Sequence, residues 1–110
     1  MNDLIQRIAY AIIRQEGMPT SNNNPGNLRN APWLPNPVIV NGYWKPDRRI
    51  IGTAGLLHIV ALRIAEGKSL AQLITSFAPP TDKNPTSQYI LNVKAWANIQ
   101  DENVALWNYL

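Results

Sequence analysis

Glu16 occupies a position where a carboxylate is out of place. At roughly 100° per residue, a helix running to this residue puts Glu16 about 20° around the axis from Ile5. That is inside the apolar stripe of Ile5, Ile8, Ala9 and Ile12. A charge on a core-facing stripe is costly. Partial burial and the negative end of the helix dipole both favour the neutral acid. A carboxyl group so placed can hand a proton to a departing oxygen, the general-acid step of glycoside cleavage. The same position also suits a helix end whose side chain snorkels into water, so the helix alone leaves both roles open.

The segment that follows is rich in groups that recognise polar ligands. Asn23-Asn24-Pro25-Gly26-Asn27-Leu28-Arg29 places a Pro-Gly turn among side-chain amides. Each amide can donate to and accept from sugar hydroxyls and N-acetyl groups, and each can equally well brace a turn. Trp33, Tyr43 and Trp44 offer ring faces on which sugars can stack, whereas Trp96 and Trp107 fall at core positions of later helical segments. The 110 residues include no cysteine, which excludes disulfides and thiolate metal sites. A zinc site or a Ser-His-Asp triad would have to depend on the single histidine, His58, and the pattern fits neither. No metal and no cofactor is expected. A net charge of +3 suits an anionic partner without choosing one.

The elements that must position these groups follow from punctuation. The first helix is expected from Asn2 or Asp3 to Glu16, with Gly17 stopping it. Residues 18–37 carry too many prolines and asparagines for a long helix or a central strand. Val38-Ile39-Val40, Asn41-Gly42 and Tyr43-Trp44 form a hairpin pattern with a turn-forming Asn-Gly pair. A further turn at residues 45–48 predicts a third strand at Arg49-Ile50-Ile51. Three helices are then expected: one capped by Thr53 and ended by Gly67, one capped by Ser69 and stopped at Pro79-Pro80, and one opened by Thr86 or Ser87. A last helix is expected from Asp101, with Val104, Trp107 and Leu110 on one face. The fold class is mainly α (α+β), with one short β-hairpin region. The length and a hydrophobic fraction of 45% predict a single globular domain over residues 1–110.

Glu16-Gly17 followed by Asn23-Asn24-Pro25-Gly26-Asn27-Leu28-Arg29 resembles a group of phage and bacterial lysozyme-like proteins related to lytic transglycosylases. Asn41-Gly42-Tyr43, Thr53-Ala54-Gly55-Leu56, Gly67-Lys68-Ser69-Leu70, Phe77-Ala78-Pro79-Pro80, and Asn84 with Thr86 to Ile90 are similar to later segments of that family. The likeness spans about residues 4–97. Pro85 stands where the family has an aspartate, and the turn at residues 46–49 is longer. The resemblance implies a lysozyme-like helical domain that cleaves the peptidoglycan glycan strand between N-acetylmuramic acid and N-acetylglucosamine, with Glu16 as general acid. It further implies that Asn24, Asn27, Arg29, Tyr43 and Tyr89 contact substrate, Tyr89 lying across the cleft where its hydroxyl can orient the acid. For Tyr89 core packing is an equal reading, and for Arg29 a surface ion pair.

A hydrolytic lysozyme uses a second carboxylate; Asp47 on the hairpin-side turn is the leading candidate, with Asp82 behind it. A lytic transglycosylase manages with one carboxyl, so transglycosylation is the expected chemistry. The alternative is a non-catalytic cell-wall-binding or virion structural module of the same fold. A nucleic-acid-binding domain ranks last, because the basic residues form no helix-face cluster. The chain is expected to be a monomer without a membrane span. It shows no signal-peptide pattern at its start, and it is expected to act at the cell wall through a phage particle, lysis or a dedicated export route.

Overall fold

The computed structural model describes residues 2–18, 21–80 and 85–110. Helix α1 (Asn2–Gln15) buries Leu4, Ile8, Ala9, Ala11 and Ile12 and leaves Ile5 at the edge of the core. Gly17 stops it as expected, although its last residue is Gln15 and not the expected Glu16. Gly17 takes a left-handed φ of 83°, the Gly17 N–H donates to the Arg14 carbonyl (3.1 Å), and the Met18 N–H donates to the Ile13 carbonyl (2.9 Å). This paired closure leaves Glu16 as the capping residue, its own N–H still bonded to the Ile12 carbonyl at 2.9 Å.

The next stretch is irregular, with a single 3-10 turn at Ser21–Asn23. Asn22, Asn23 and Asn27 all adopt left-handed φ (60°, 53° and 50°), a conformation asparagine tolerates better than most residues. Strands β1 (Ile39–Val40) and β2 (Tyr43–Trp44) pair antiparallel, Ile39 opposite Trp44 and Val40 opposite Tyr43. Asn41 and Gly42 both have positive φ (52° and 82°), as a two-residue type I′ turn requires.

The expected third strand does not form. Arg49-Ile50-Ile51 is the first turn of helix α2 (Arg49–Ala65), and Thr53 lies inside that helix instead of capping it. Ile50 is 70% exposed, so no buried strand face exists for it to join. Two glycines seat the helix. A Cβ at Gly52 would fall 1.9 Å from the Asn23 carbonyl oxygen, and one at Gly55 would fall 2.5 Å from Trp44 Cζ3. Close tertiary approach thus overrides a local pattern that reads as turn and strand.

α2 closes at Gly67 (φ 79°) in the same paired manner as α1. α3 (Leu70–Phe77) opens with the expected Ser69 cap, in a reciprocal capping box with Gln72. α4 (Thr86–Trp96) starts where expected, and the Thr86 hydroxyl donates to the Ala78 carbonyl at 2.5 Å, fastening its first turn to the end of α3. Asp82 and Asn84 lie outside the described residues.

The C-terminal segment departs from expectation. It makes only a 3-10 turn, Leu106–Tyr109, with Leu106 buried and Val104, Trp107 and Leu110 exposed. The Asp101 side chain accepts from the Asn103 N–H, and the Ala71 and Leu106 N–H groups donate to the Glu102 and Lys68 carbonyls. These bonds hold the chain along the α2–α3 corner, where it cannot coil into an α-helix. Trp96 and Trp107 are not core residues. Trp96 is 38% exposed with the Arg14 guanidinium 4.2 Å from its ring centroid, and Trp107 is 51% exposed, lying over Gly67.

The core is one apolar cluster to which all four helices and Trp44 contribute. α1 packs on α2 and α4, and α4 also packs on α3. The architecture is mainly α with one short antiparallel hairpin. Among the described residues no helix is long and apolar enough to cross a membrane.

Candidate active site

The Glu16 side chain is half-buried in the wall of a cleft of about 410 Å³. The capping geometry aims it there, and two other elements hold it. Asn27 Nδ2, from the asparagine loop, donates to Glu16 Oε1 at 2.9 Å. The Tyr89 hydroxyl, from α4, donates to Glu16 Oε2 at 2.8 Å. One carboxyl group is therefore gripped across 11 and 73 residues of sequence. Hydrogen bonds to a carboxylate are the stronger kind, and two of them fix its plane as well as its position.

Tyr89 is 4% exposed and sits behind Glu16, not in the cleft wall. Burial, then the Glu16 charge, then the hydrogen bond to Glu16 lift its phenol well above the usual tyrosine range. It is a neutral donor at any ordinary pH. By turning about its C–O bond, the hydroxyl can donate to the carboxylate or accept from the carboxylic acid. The pair can thus keep one geometry in both protonation states of Glu16.

Asn24, expected to contact substrate, lies outside the cleft lining. It is 1% exposed, and its amide is fully engaged: Nδ2 donates to the Leu28 and Trp44 carbonyls (2.8 Å each) and Oδ1 accepts from the Leu28 N–H (3.0 Å). It pins the loop carrying Asn27 to strand β2. Asn23 does similar work outside, donating to the Pro46 and Asp47 carbonyls at 3.1 Å each.

The other expected groups divide. Arg29 and Tyr43 both line the cleft, the guanidinium carbon 5.1 Å from the Tyr43 ring centroid. Trp33 lines it too, edge-on to Trp44 (centroids 5.8 Å apart) and tilted against His58 (4.9 Å). Trp44 itself is buried behind that wall and offers no face to a sugar. Asp47 is exposed and is not part of the cleft lining, so it is not brought to Glu16. Among the described residues Glu16 is the only carboxylate that lines the cleft.

Sequence reasoning missed Arg63, which lines the cleft from α2 one turn beyond Ile59, and the wall formed by Ser76 to Pro79. A readable signal existed for Arg63: it is a charge four residues after Ile59, on the same face of the helix. The cleft also carries mixed polar and apolar walls, the usual lining of a small-molecule or sugar site.

No family model, curated protein or solved structure matches the chain.

Proposed function

We propose that this protein cleaves the peptidoglycan glycan strand between N-acetylmuramic acid and N-acetylglucosamine, with Glu16 as the acid and then the base. The observation that carries the reading is the half-buried Glu16 carboxyl in the cleft wall, clamped by Asn27 on one oxygen and Tyr89 on the other. Such a fixed, singly placed acid beside polar and aromatic walls suits protonation of a glycosidic oxygen. The likeness of the Glu16-Gly17 and Asn24-Pro25-Gly26-Asn27 segments to lysozyme-like proteins supplies the substrate class.

The protonated Glu16 gives its proton to the bridging oxygen as the bond from that oxygen to the muramoyl C1 breaks. The resulting carboxylate faces the sugar cation. It then takes the proton from the muramoyl 6-hydroxyl, whose oxygen closes onto C1 as a 1,6-anhydro ring. Each step uses one carboxyl, which agrees with a cleft lined by one carboxylate among the described residues. Lytic transglycosylase chemistry is therefore favoured over hydrolysis.

The test is Glu16→Gln, which preserves shape and removes the acid. The variant should fold normally and fail to clear peptidoglycan. Mass spectrometry of wild-type digests should find anhydro-muropeptides instead of reducing ends. A fully active Glu16→Gln protein would sink the assignment. Reducing ends alone would replace transglycosylation by hydrolysis. Cell-wall binding without any cleavage would leave only a binding module.

A further inference from the structure

Glu16 and Tyr89 meet near the ends of their helices, where fraying starts. Glu16 follows the last residue of α1, and Tyr89 closes the first turn of α4. Pro85, just before α4, makes no side-chain capping bond. A single hydrogen bond between two such ends needs something to hold the helices in register.

One turn further along α4 the same two helices are joined again. Asn92 Nδ2 donates to Gln15 Oε1 at 2.8 Å, and Asn92 Oδ1 accepts from Gln88 Nε2 at 2.8 Å. Gln15 is the residue before Glu16. Asn92 comes three after Tyr89, about 4.5 Å along the axis and roughly 60° around it. The Asn92–Gln15 and Tyr89–Glu16 bonds thus run side by side across the α1–α4 seam, spanning 77 and 73 residues of sequence. At the far end of that seam Arg7 Nε donates to the Ala97 carbonyl at 2.9 Å.

Asparagine is a poor helix former, because its amide competes for nearby backbone groups. In the half-buried Asn92 both ends of the amide are used otherwise. Gln88, one turn earlier on α4, takes the oxygen and so turns the NH2 toward Gln15. Neither Asn92 nor Gln15 lines the cleft, so neither is placed to touch a ligand there. What their bond fixes is register, since α4 cannot slide or turn on α1 without straining it. The Tyr89–Glu16 bond is directional, so such a movement weakens it even where the apolar packing survives. We infer that Asn92 is a positioning residue, which holds α4 on Gln15 so that the Tyr89 hydroxyl stays on Glu16. Its effect on catalysis rests on the proposed role of Glu16; its hold on Tyr89 depends on no reaction.

The test is Asn92→Leu, which keeps the side-chain volume, favours the helix and removes the bond. Tyr89→Phe is made alone and in that background, and urea midpoints are compared at pH 7. The fall in midpoint caused by Tyr89→Phe should shrink by about half or more in the Asn92→Leu background, because interacting sites are not additive. Gln15→Met breaks the same bond from the α1 side and should act alike, which keeps the comparison available if Asn92→Leu does not fold. Arg7→Met, at the far end of the seam, should leave the Tyr89→Phe fall unchanged. On peptidoglycan, Asn92→Leu should lower kcat by roughly three- to tenfold with KM within about twofold. Tyr89→Phe combined with Asn92→Leu should be no slower than Tyr89→Phe alone, and Arg7→Met should keep the wild-type kcat. An undiminished Tyr89→Phe fall, equal shrinkage in the Arg7→Met background, or kcat losses that multiply would each overturn the positioning role and leave Asn92 as ordinary helix packing. Wild-type protein that cuts no peptidoglycan removes the proposed reaction, while the midpoints still decide whether Asn92 holds Tyr89.

Discussion

Replacing Tyr89 by phenylalanine removes one oxygen and nothing else from the clamp on Glu16. The ring still fills its buried site, so no cavity term enters. What is lost is a 2.8 Å hydrogen bond to a carboxylate. Bonds to charged groups contribute about 1.5–3 kcal/mol, and the lower part of that range applies because Glu16 is only half-buried; the expected cost is about 1.5–2 kcal/mol at pH 7. For a chain of this size the melting temperature should fall by roughly 4–8 °C per kcal/mol. The pH dependence is the sharper test. The phenol ordinarily ionises near 10, and in the fold it is held well above that. Above pH 10 the unfolded chain loses this proton while the folded chain keeps it, so wild-type stability falls by about 1.4 kcal/mol per pH unit from there upward. Tyr89→Phe lacks this term, and every other ionisable group is common to the two proteins. The stability gap seen at pH 7 should therefore close within about one pH unit above 10. Urea denaturation of both proteins from pH 7 to 11 measures it. A gap that stays constant across that range, or no gap at pH 7, would refute the placement of Tyr89 against Glu16.

Other substitutions separate holding the acid from holding the fold. Tyr89→Phe should also lower kcat on peptidoglycan by roughly tenfold or more while leaving KM nearly unchanged, since the phenol meets Glu16 and not the cleft. Asn27→Gly should lose activity with little loss of stability, because glycine accepts the φ of 50°, whereas Asn27→Ala should cost an additional ~1 kcal/mol in thermal unfolding for the strained backbone. Asn24→Ala strips buried partners from Leu28 and Trp44 and should cost about 2–4 kcal/mol, read as a lowered denaturation midpoint in the absence of any substrate. Gly52→Ala drives a methyl group into the Asn23 carbonyl and should destabilise by about 3 kcal/mol or more, or yield insoluble protein.

Much of the fold is written in local punctuation. Gly17 and Gly67 end their helices by left-handed closure, Ser69 and Gln72 form their capping box, and Asn41-Gly42 makes the hairpin turn it advertises. These are local devices whose energies do not wait for tertiary contacts. The start of α2 was not legible in this way, because Arg49-Ile50-Ile51 after a turn reads as a strand until the close approach of Gly52 to the Asn23 carbonyl is known. Trp96 and Trp107 sit at core spacing, yet a cation over one ring and a glycine under the other give them surface positions. At the site, periodicity singles out Glu16 but cannot supply its partners. Asn27 and Tyr89 are joined to it only by the return of the loop and of α4, and Asn24 looks like a ligand group until its buried amide is counted.

The Asn24 amide has a consequence for how the cleft meets its ligand. By composition the stretch from Ser21 to Arg29 has the character of a flexible lid, yet one side chain rivets it at three points to the hairpin and to its own turn. Its conformational entropy is given up during folding, so little remains to be lost when a strand arrives. The backbone amide of Leu28 should accordingly exchange its hydrogen only through large-scale opening, at a rate like that of the helix core and not that of a loop. Glu16 then sits on a preorganised edge, a fixed jaw against which a ligand, and not the protein, must adjust its shape.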